Sequence, residues 1–93
     1  ISPTTKLIRG CDKYKQWRNA VFSRDNFTCV FCNKRGGYLE ADHTKLFSII
    51  LKEYDIKTLS AALICDELWN VDNGRTLCVS CHRKTDTYGH NKL

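Results

Sequence analysis

Apolar side chains first take on a helical rhythm between residues 13 and 24. There Trp17, Ala20 and Val21, continued by Arg24, recur at intervals of three and four, while Lys13, Lys15 and Arg18 face elsewhere. The pattern predicts an amphipathic helix with Asp12 placed to cap its start. Residues 1 to 10 show no clear period, so residues 1 to 12 are expected to form an irregular basic arm. Phe27 to Phe31 reads as a short strand, Gly36-Gly37 as a flexible turn, and Tyr38 to His43 as a second strand. Residues 46 to 54 and 58 to 65 carry helical patterns, the second with Thr58 as its cap, and Leu68-Trp69 return the chain to the core. Arg75 to Leu77 suits a strand antiparallel to Tyr38 to His43. Val79 to Tyr88 suits a helix closed by Gly89. The order is strand, helical excursion over 44 to 72, strand, helix: an α+β domain over residues 13 to 93, with no internal repeat and no low-complexity stretch.

Ninety-three residues suffice for one domain with a modest core, a size at which a metal or disulfide staple is commonly needed. Two Cys-x2-Cys pairs, Cys29 with Cys32 and Cys78 with Cys81, stand 45 residues apart. Paired soft thiolates in this spacing suit a closed tetrahedral Zn2+ site better than a disulfide framework. The chain shows no signal-peptide pattern, so a reducing, cytoplasmic setting is expected. Its opening Ile1, in place of Met, suggests a fragment or a processed chain. Cys65 lies in the apolar run Ala61 to Cys65 and reads as a small buried hydrophobe. The longest apolar candidate, Leu46 to Leu51, is interrupted at Ser48 and falls far short of a bilayer span, so no membrane partner is expected.

The formal charge of +5 is unevenly spread. Residues 1 to 35 carry eight basic and two acidic side chains, 36 to 73 three and seven, and 74 to 93 four and one. Basic ends around an acidic middle favour a polyanionic partner. Trp17 and Trp69 sit in apolar patterns and read as core anchors rather than base-stacking platforms. His90 lies in a polar tail and reads as solvated.

Between the knuckles stands Asp42-His43, and the second knuckle runs directly into His82. A carboxylate and imidazoles suit an open, hydrolytic metal site, with Asp42 offering a hard oxygen and His82 a borderline nitrogen to Mg2+, Mn2+, Ni2+ or Zn2+. A neutral imidazole with an ordinary pKa of about 6.5 can take a proton from water at physiological pH. If Cys78 and Cys81 lie on the first turn of a helix, His82 projects about 100° around from Cys81, so two ions can be neighbours without sharing ligands. Asp42 and His43 point to opposite faces of a regular strand. Both serve one site only if they flank it or the backbone is distorted there. Asn73, followed by Gly74, fits a turn whose amide side chain ties two backbone segments together, or else a further metal ligand. Lys45, Arg83 and Lys84 are candidate phosphate contacts, and Lys34-Arg35 either contact phosphate or offset the charge of a thiolate-bound zinc.

In full, the pattern is Cys29-x2-Cys32, x9, Asp42-His43, x29, Asn73, x4, Cys78-x2-Cys81-His82. It resembles the HNH nuclease family. Residues 14 to 88 look like its small phage-type members through Trp17-Arg18, Arg24-Asp25, Leu68-Trp69, Asn73-Gly74 and the closing Leu77-Cys78-x2-Cys81-His82-Arg83-Lys84-Thr85. The resemblance implies a ββα-metal fold in which a hairpin and one helix clasp a divalent ion engaging a DNA phosphate. It implies His43 as general base, Asp42 and His82 as catalytic-metal ligands, Asn73 as the motif asparagine, and a structural zinc on the four cysteines. Family members differ in whether the last histidine or the asparagine completes the metal shell.

The expected activity is therefore metal-dependent hydrolysis of DNA phosphodiesters. Predicted contacts to phosphate position a duplex without reading it, so low intrinsic sequence specificity follows. For phage-like relatives the setting would be the host cytoplasm, and the partners genome-packaging or other DNA-processing proteins. Two alternatives stay open: a zinc-stapled nucleic-acid-binding module without turnover, and cleavage of RNA or structured junctions.

Overall fold

The computed structural model describes residues 3–85. At its centre is a two-stranded antiparallel sheet of β1 (Leu39–His43) and β2 (Gly74–Cys78), in a regular register that pairs Leu39 with Cys78, Asp42 with Arg75 and His43 with Gly74. The positive backbone φ angles of Gly36 and Gly37, +78° and +73°, make the turn that delivers the chain into β1. Helix α5 (Val79–Arg83) follows β2 without a connecting residue and packs back on both strands.

Before the sheet come α1 (Pro3–Arg9) and α2 (Asp12–Arg24), and between its strands come α3 (Phe47–Glu53), α4 (Leu59–Leu63) and two 3-10 turns, Asp66–Trp69 and Val71–Asn73. The excursion over 44 to 72 is thus helical, as its periodicity indicates. Thr58 caps α4, its hydroxyl accepting a hydrogen bond from the Ala61 amide at 3.1 Å. Ile8, Phe47, Ile50, Ile56, Ala62, Cys65 and Leu68 form one buried cluster, with Cys65 in the apolar role its neighbours suggest. Fully burying a side chain such as Ile50 or Leu68 contributes about 1.5–3 kcal/mol. Helix α2 meets β2 through Trp17 and Val21. At its C-terminal end Arg24 donates to the Val71 and Gly74 carbonyls, both at 2.7 Å, and to the Asp25 carboxylate, which accepts from the Thr76 amide at 3.1 Å. The guanidinium beside it is the main cause holding the Asp25 carboxyl below its ordinary pKa.

Four local expectations are corrected. Residues 3 to 9 are helical rather than irregular: one apolar position, Ile8, is fully buried against the main cluster, and that tertiary contact supplies what a weak periodicity does not. Asp12 is not a cap. Cys11 holds that position without a side-chain bond, and Asp12 lies in the first turn, where its carboxylate complements the helix dipole. Phe27 to Phe31 is not a strand. Asn26, Phe27 and Asn33 have φ between +53° and +64°, and Cys29 donates to Lys34 while Asn33 donates to Cys29, so the chain folds into a tight knuckle with a single bridge between Thr28 and Arg35. The last helix ends at Arg83, and beyond it the Thr85 amide and hydroxyl both donate to the His82 carbonyl, at 3.1 and 2.7 Å. Residues 86 to 88, Gly89 and His90 lie outside the described residues.

Candidate functional site

The two knuckles converge. Cys29, Cys32, Cys78 and Cys81 place their sulfurs within 4.8 Å of one another. The first pair comes from the knuckle after α2, and the second spans the start of α5, where Cys78 is the N-cap residue. Zinc–sulfur bonds of about 2.3 Å at tetrahedral angles put two sulfurs about 3.8 Å apart, and Cys32 Sγ and Cys78 Sγ are separated by 3.8 Å. Burial raises the Cys29 thiol, but backbone N–H groups of Cys78, Cys32 and Phe31 outweigh it and bring the thiol down to about 6. Its neighbour Cys81 is pushed up to about 12, chiefly by its contact with Cys78. Thiolates this close repel one another, and a bound cation would compensate their charge. Number, spacing and donor chemistry all fit a structural zinc.

A second group lies on the face of β1 that α5 covers. His82 Nε2 is 3.4 Å from Asp42 Oδ1, and His82 Nδ1 is 2.6 Å from Glu40 Oε1. Asp42, only 6% exposed, turns its other oxygen to Arg75, whose Nε donates at 2.9 Å. Glu40 and Asp42 are two apart on one strand and therefore share a face, and Arg75 is the cross-strand partner of Asp42. Because a carboxylate only accepts, Nδ1 carries the hydrogen donated to Glu40. In the neutral ring, Nε2 then presents a lone pair toward an anionic oxygen. A metal ion or a second proton reconciles the two.

His43 is on the opposite face, as the alternation of a regular strand dictates. Its ring is 6% exposed, stacked on Trp17 with centroids 3.9 Å apart and tilted against Phe47 at 5.4 Å. Its Nε2 is 3.1 Å from the Leu68 carbonyl, an acceptor, so Nε2 carries the hydrogen and Nδ1 the lone pair. Desolvation is the main cause that lowers its pKa to about 4, with the Arg9 guanidinium acting in the same direction and the Leu68 contact opposing. The structure therefore gathers Asp42 and His82 and sets His43 behind them.

Asn73 bridges to the backbone just beyond β1. Its Oδ1 accepts from the Lys45 amide at 2.7 Å and its Nδ2 donates to the Lys45 carbonyl at 3.2 Å, while its own carbonyl accepts from Thr44. Of the two roles open to Asn73, this is the geometry of the brace. Lys45 Nζ is engaged by Glu53 at 2.6 Å and Glu67 at 2.7 Å, which raise its pKa, so this side chain is committed within the excursion. Arg83 and Lys84 are exposed at the end of α5. Both tryptophans are anchors: Trp17 Nε1 donates to Asn70 and Trp69 Nε1 to Ala62.

Glu40, Arg75 and Arg9 were not legible as neighbours of the site. The first two follow once the strand register is known, since Glu40 precedes Asp42 by two and Arg75 pairs with it. Arg9 sits over the Phe47 ring at 4.8 Å, a placement that depends on an unforeseen helix. Among the described residues, no helix is long and apolar enough to cross a membrane. No family model matches the chain, and neither the curated proteins nor the solved structures compared with it yield a match.

Proposed function

We propose that this protein is a metal-dependent endonuclease that hydrolyses DNA phosphodiester bonds, a ββα-metal nuclease of HNH type. The observation that carries the reading is the Asp42–His82 pair, an oxygen and a nitrogen 3.4 Å apart, on a hairpin strand and the helix that leaves the hairpin. Ligand bonds of about 2.0–2.2 Å allow one ion to engage both atoms at that spacing. Asp42 and His82 would hold it, and a divalent ion there supplies charge for the phosphate oxygens and the departing 3′ oxygen. The four-cysteine site beside it fixes the start of α5 and, one residue later, His82.

The remaining steps belong to the chain's own side chains. His43 is assigned the general base, with its accepting lone pair on Nδ1 because the Leu68 carbonyl holds the hydrogen on Nε2. A ring that stays neutral down to about pH 4 is in the accepting form at physiological pH, although a weaker base than an ordinary histidine. Asn73 holds the segment that follows His43. Arg83 and Lys84, exposed at the end of α5, contact backbone phosphates and impose little sequence preference.

The burial of His43 favours a second reading, in which the ring is a packing element and the domain is a zinc-stapled nucleic-acid-binding module. A supercoiled-plasmid assay across Mg2+, Mn2+, Ni2+ and Zn2+ separates the two. The nuclease reading expects wild type to nick or linearise the plasmid, with 5′-phosphate ends, and expects His43→Ala and His82→Ala to be inactive while keeping their zinc. A wild type that shifts DNA mobility yet leaves the plasmid intact in every metal would refute it.

A further inference from the structure

We propose that Glu40 is a positioning residue that makes the Asp42–His82 pair competent to take up a divalent ion; the inference rests on the reading of that pair as ion ligands. Glu40 Oε1 accepts from His82 Nδ1 at 2.6 Å, while the ring's other nitrogen faces Asp42. This has two consequences. The hydrogen is held on Nδ1, so the lone pair is held on Nε2, the nitrogen that faces Asp42 Oδ1. The ring plane is also set, since it is gripped at both edges. An imidazole free to rotate or to exchange tautomers would present a ligand atom only part of the time.

Charge points the same way. Arg75 Nε lies 2.9 Å from Asp42 Oδ2 and neutralises that carboxylate, so Asp42 and Arg75 alone offer a dication no net attraction. Glu40 supplies the additional negative charge on this face. It is not itself a ligand of the same ion. An ion at Nε2 is on the far side of the ring from the Glu40 oxygen, and among the described residues only the four cysteines bring three or more ligand atoms together. The Glu40 side chain is 31% exposed on its strand, and its removal leaves the buried cluster untouched.

The test is calorimetric titration of Ni2+ into the zinc-loaded full chain, with His82→Ala identifying the binding event that belongs to this site. Glu40→Ala is expected to weaken that event about 10–100-fold with zinc content and melting temperature unchanged. Glu40→Gln, whose amide oxygen still accepts from Nδ1 but whose charge is gone, is expected to fall between. Nitrogen-15 NMR of wild type without Ni2+ should show His82 with its hydrogen on Nδ1. Equal affinity in Glu40→Ala, or a hydrogen on Nε2 in wild type, overturns the role of Glu40 while leaving the ion ligands standing. If wild type takes up no Ni2+ that His82→Ala loses, the ion site fails and the inference with it.

Discussion

Trp17 lies face to face with His43, the two rings 3.9 Å apart and 13° from parallel. One is in the middle of α2, the other is the last residue of β1, and the indole covers one face of the imidazole. Phe47 closes a further side and the Leu68 carbonyl holds one nitrogen. A histidine in such surroundings resists protonation, because the imidazolium would lose its hydration and face the Arg9 charge, a cost that the Leu68 carbonyl and Asp42 offset only in part.

Stability should therefore depend on pH through His43. The unfolded ring takes up its proton near pH 6.5, whereas the folded one does so only near pH 4. Stability conferred by the neutral ring is complete above pH 6.5 and is lost as pH falls toward 4, by about 3 kcal/mol in total. Urea unfolding of the zinc-saturated protein between pH 7 and 5 measures this, with His43→Asn as the reference because acid also strips zinc from thiolates. Wild type is expected to lose more stability than the variant over that range. Parallel slopes would mean that the ring titrates as it does in water.

Gly74 should tolerate no side chain. It is the cross-strand partner of His43, and a Cβ there would meet Val21 Cγ2 at 2.5 Å and Trp17 Cζ2 at 2.8 Å. Its φ of −116° is ordinary, so the constraint is space and not backbone conformation. Gly74→Ala is expected to cost about 1–3 kcal/mol as α2 is pushed off the sheet. The same displacement lifts Trp17 from His43, so the variant's His43 should titrate closer to pH 6.5 in an NMR pH series. Full stability in the variant would contradict this close approach.

Asn73→Ala should loosen the segment that follows β1. It removes the acceptor for the Lys45 amide and the donor to the Lys45 carbonyl, at an expected cost of about 1–3 kcal/mol where these groups are left without partners. Asn73→Asp keeps the acceptor and loses the donor, and should lie between. Amide exchange at Lys45 is the direct measurement: it should accelerate in the alanine variant ahead of the amides of β2. If Lys45 exchanges at the wild-type rate, the amide bridge is not what holds this segment.

Much of this architecture is readable from the chain because it depends on spacing. The Cys-x2-Cys pairs declare their own geometry, Thr58 caps a helix by a local bond, and strict alternation separates Asp42 from His43 before any coordinates exist. What escaped depended on contacts between distant residues. Helix α1 follows from burying Ile8 under residues some forty to sixty positions later, and an isolated heptad of mixed residues carries no such signal. The Phe27 to Phe31 run looks like a strand because its composition is right, yet the cysteine knuckle reverses the chain within it and leaves Phe27, Val30 and Phe31 exposed. Lys45 looked available because nothing in its neighbourhood says that Glu53 and Glu67 turn back onto it. Glu40 is the most instructive: its distance from Asp42 marks it as a neighbour on one face, but only the placement of α5 brings His82 to it.

The cysteines should divide cleanly into two classes. Cys29 is fully buried and Cys81 sits on the first turn of α5, so losing either sulfur opens a four-ligand shell on which β2, the knuckle and α5 all converge. Cys29→Ser and Cys81→Ser are each expected to lose bound zinc and most of their circular-dichroism signal, because in small zinc domains metal binding and folding are one equilibrium. Cys65→Ser places a hydroxyl in the apolar cluster and should cost stability without altering zinc content, while Cys11→Ser should be near neutral. Chelation should then proceed in two stages in protein loaded with both ions. A mild chelator is expected to remove the ion proposed for the Asp42–His82 pair, which offers two protein ligands, and only a stronger one to draw zinc from four thiolates, with unfolding accompanying the second stage alone. Zinc content followed by mass spectrometry alongside circular dichroism reads both. A Cys29→Ser protein that stays folded, or unfolding that accompanies loss of the weaker ion, would remove the four-cysteine shell from the centre of this fold.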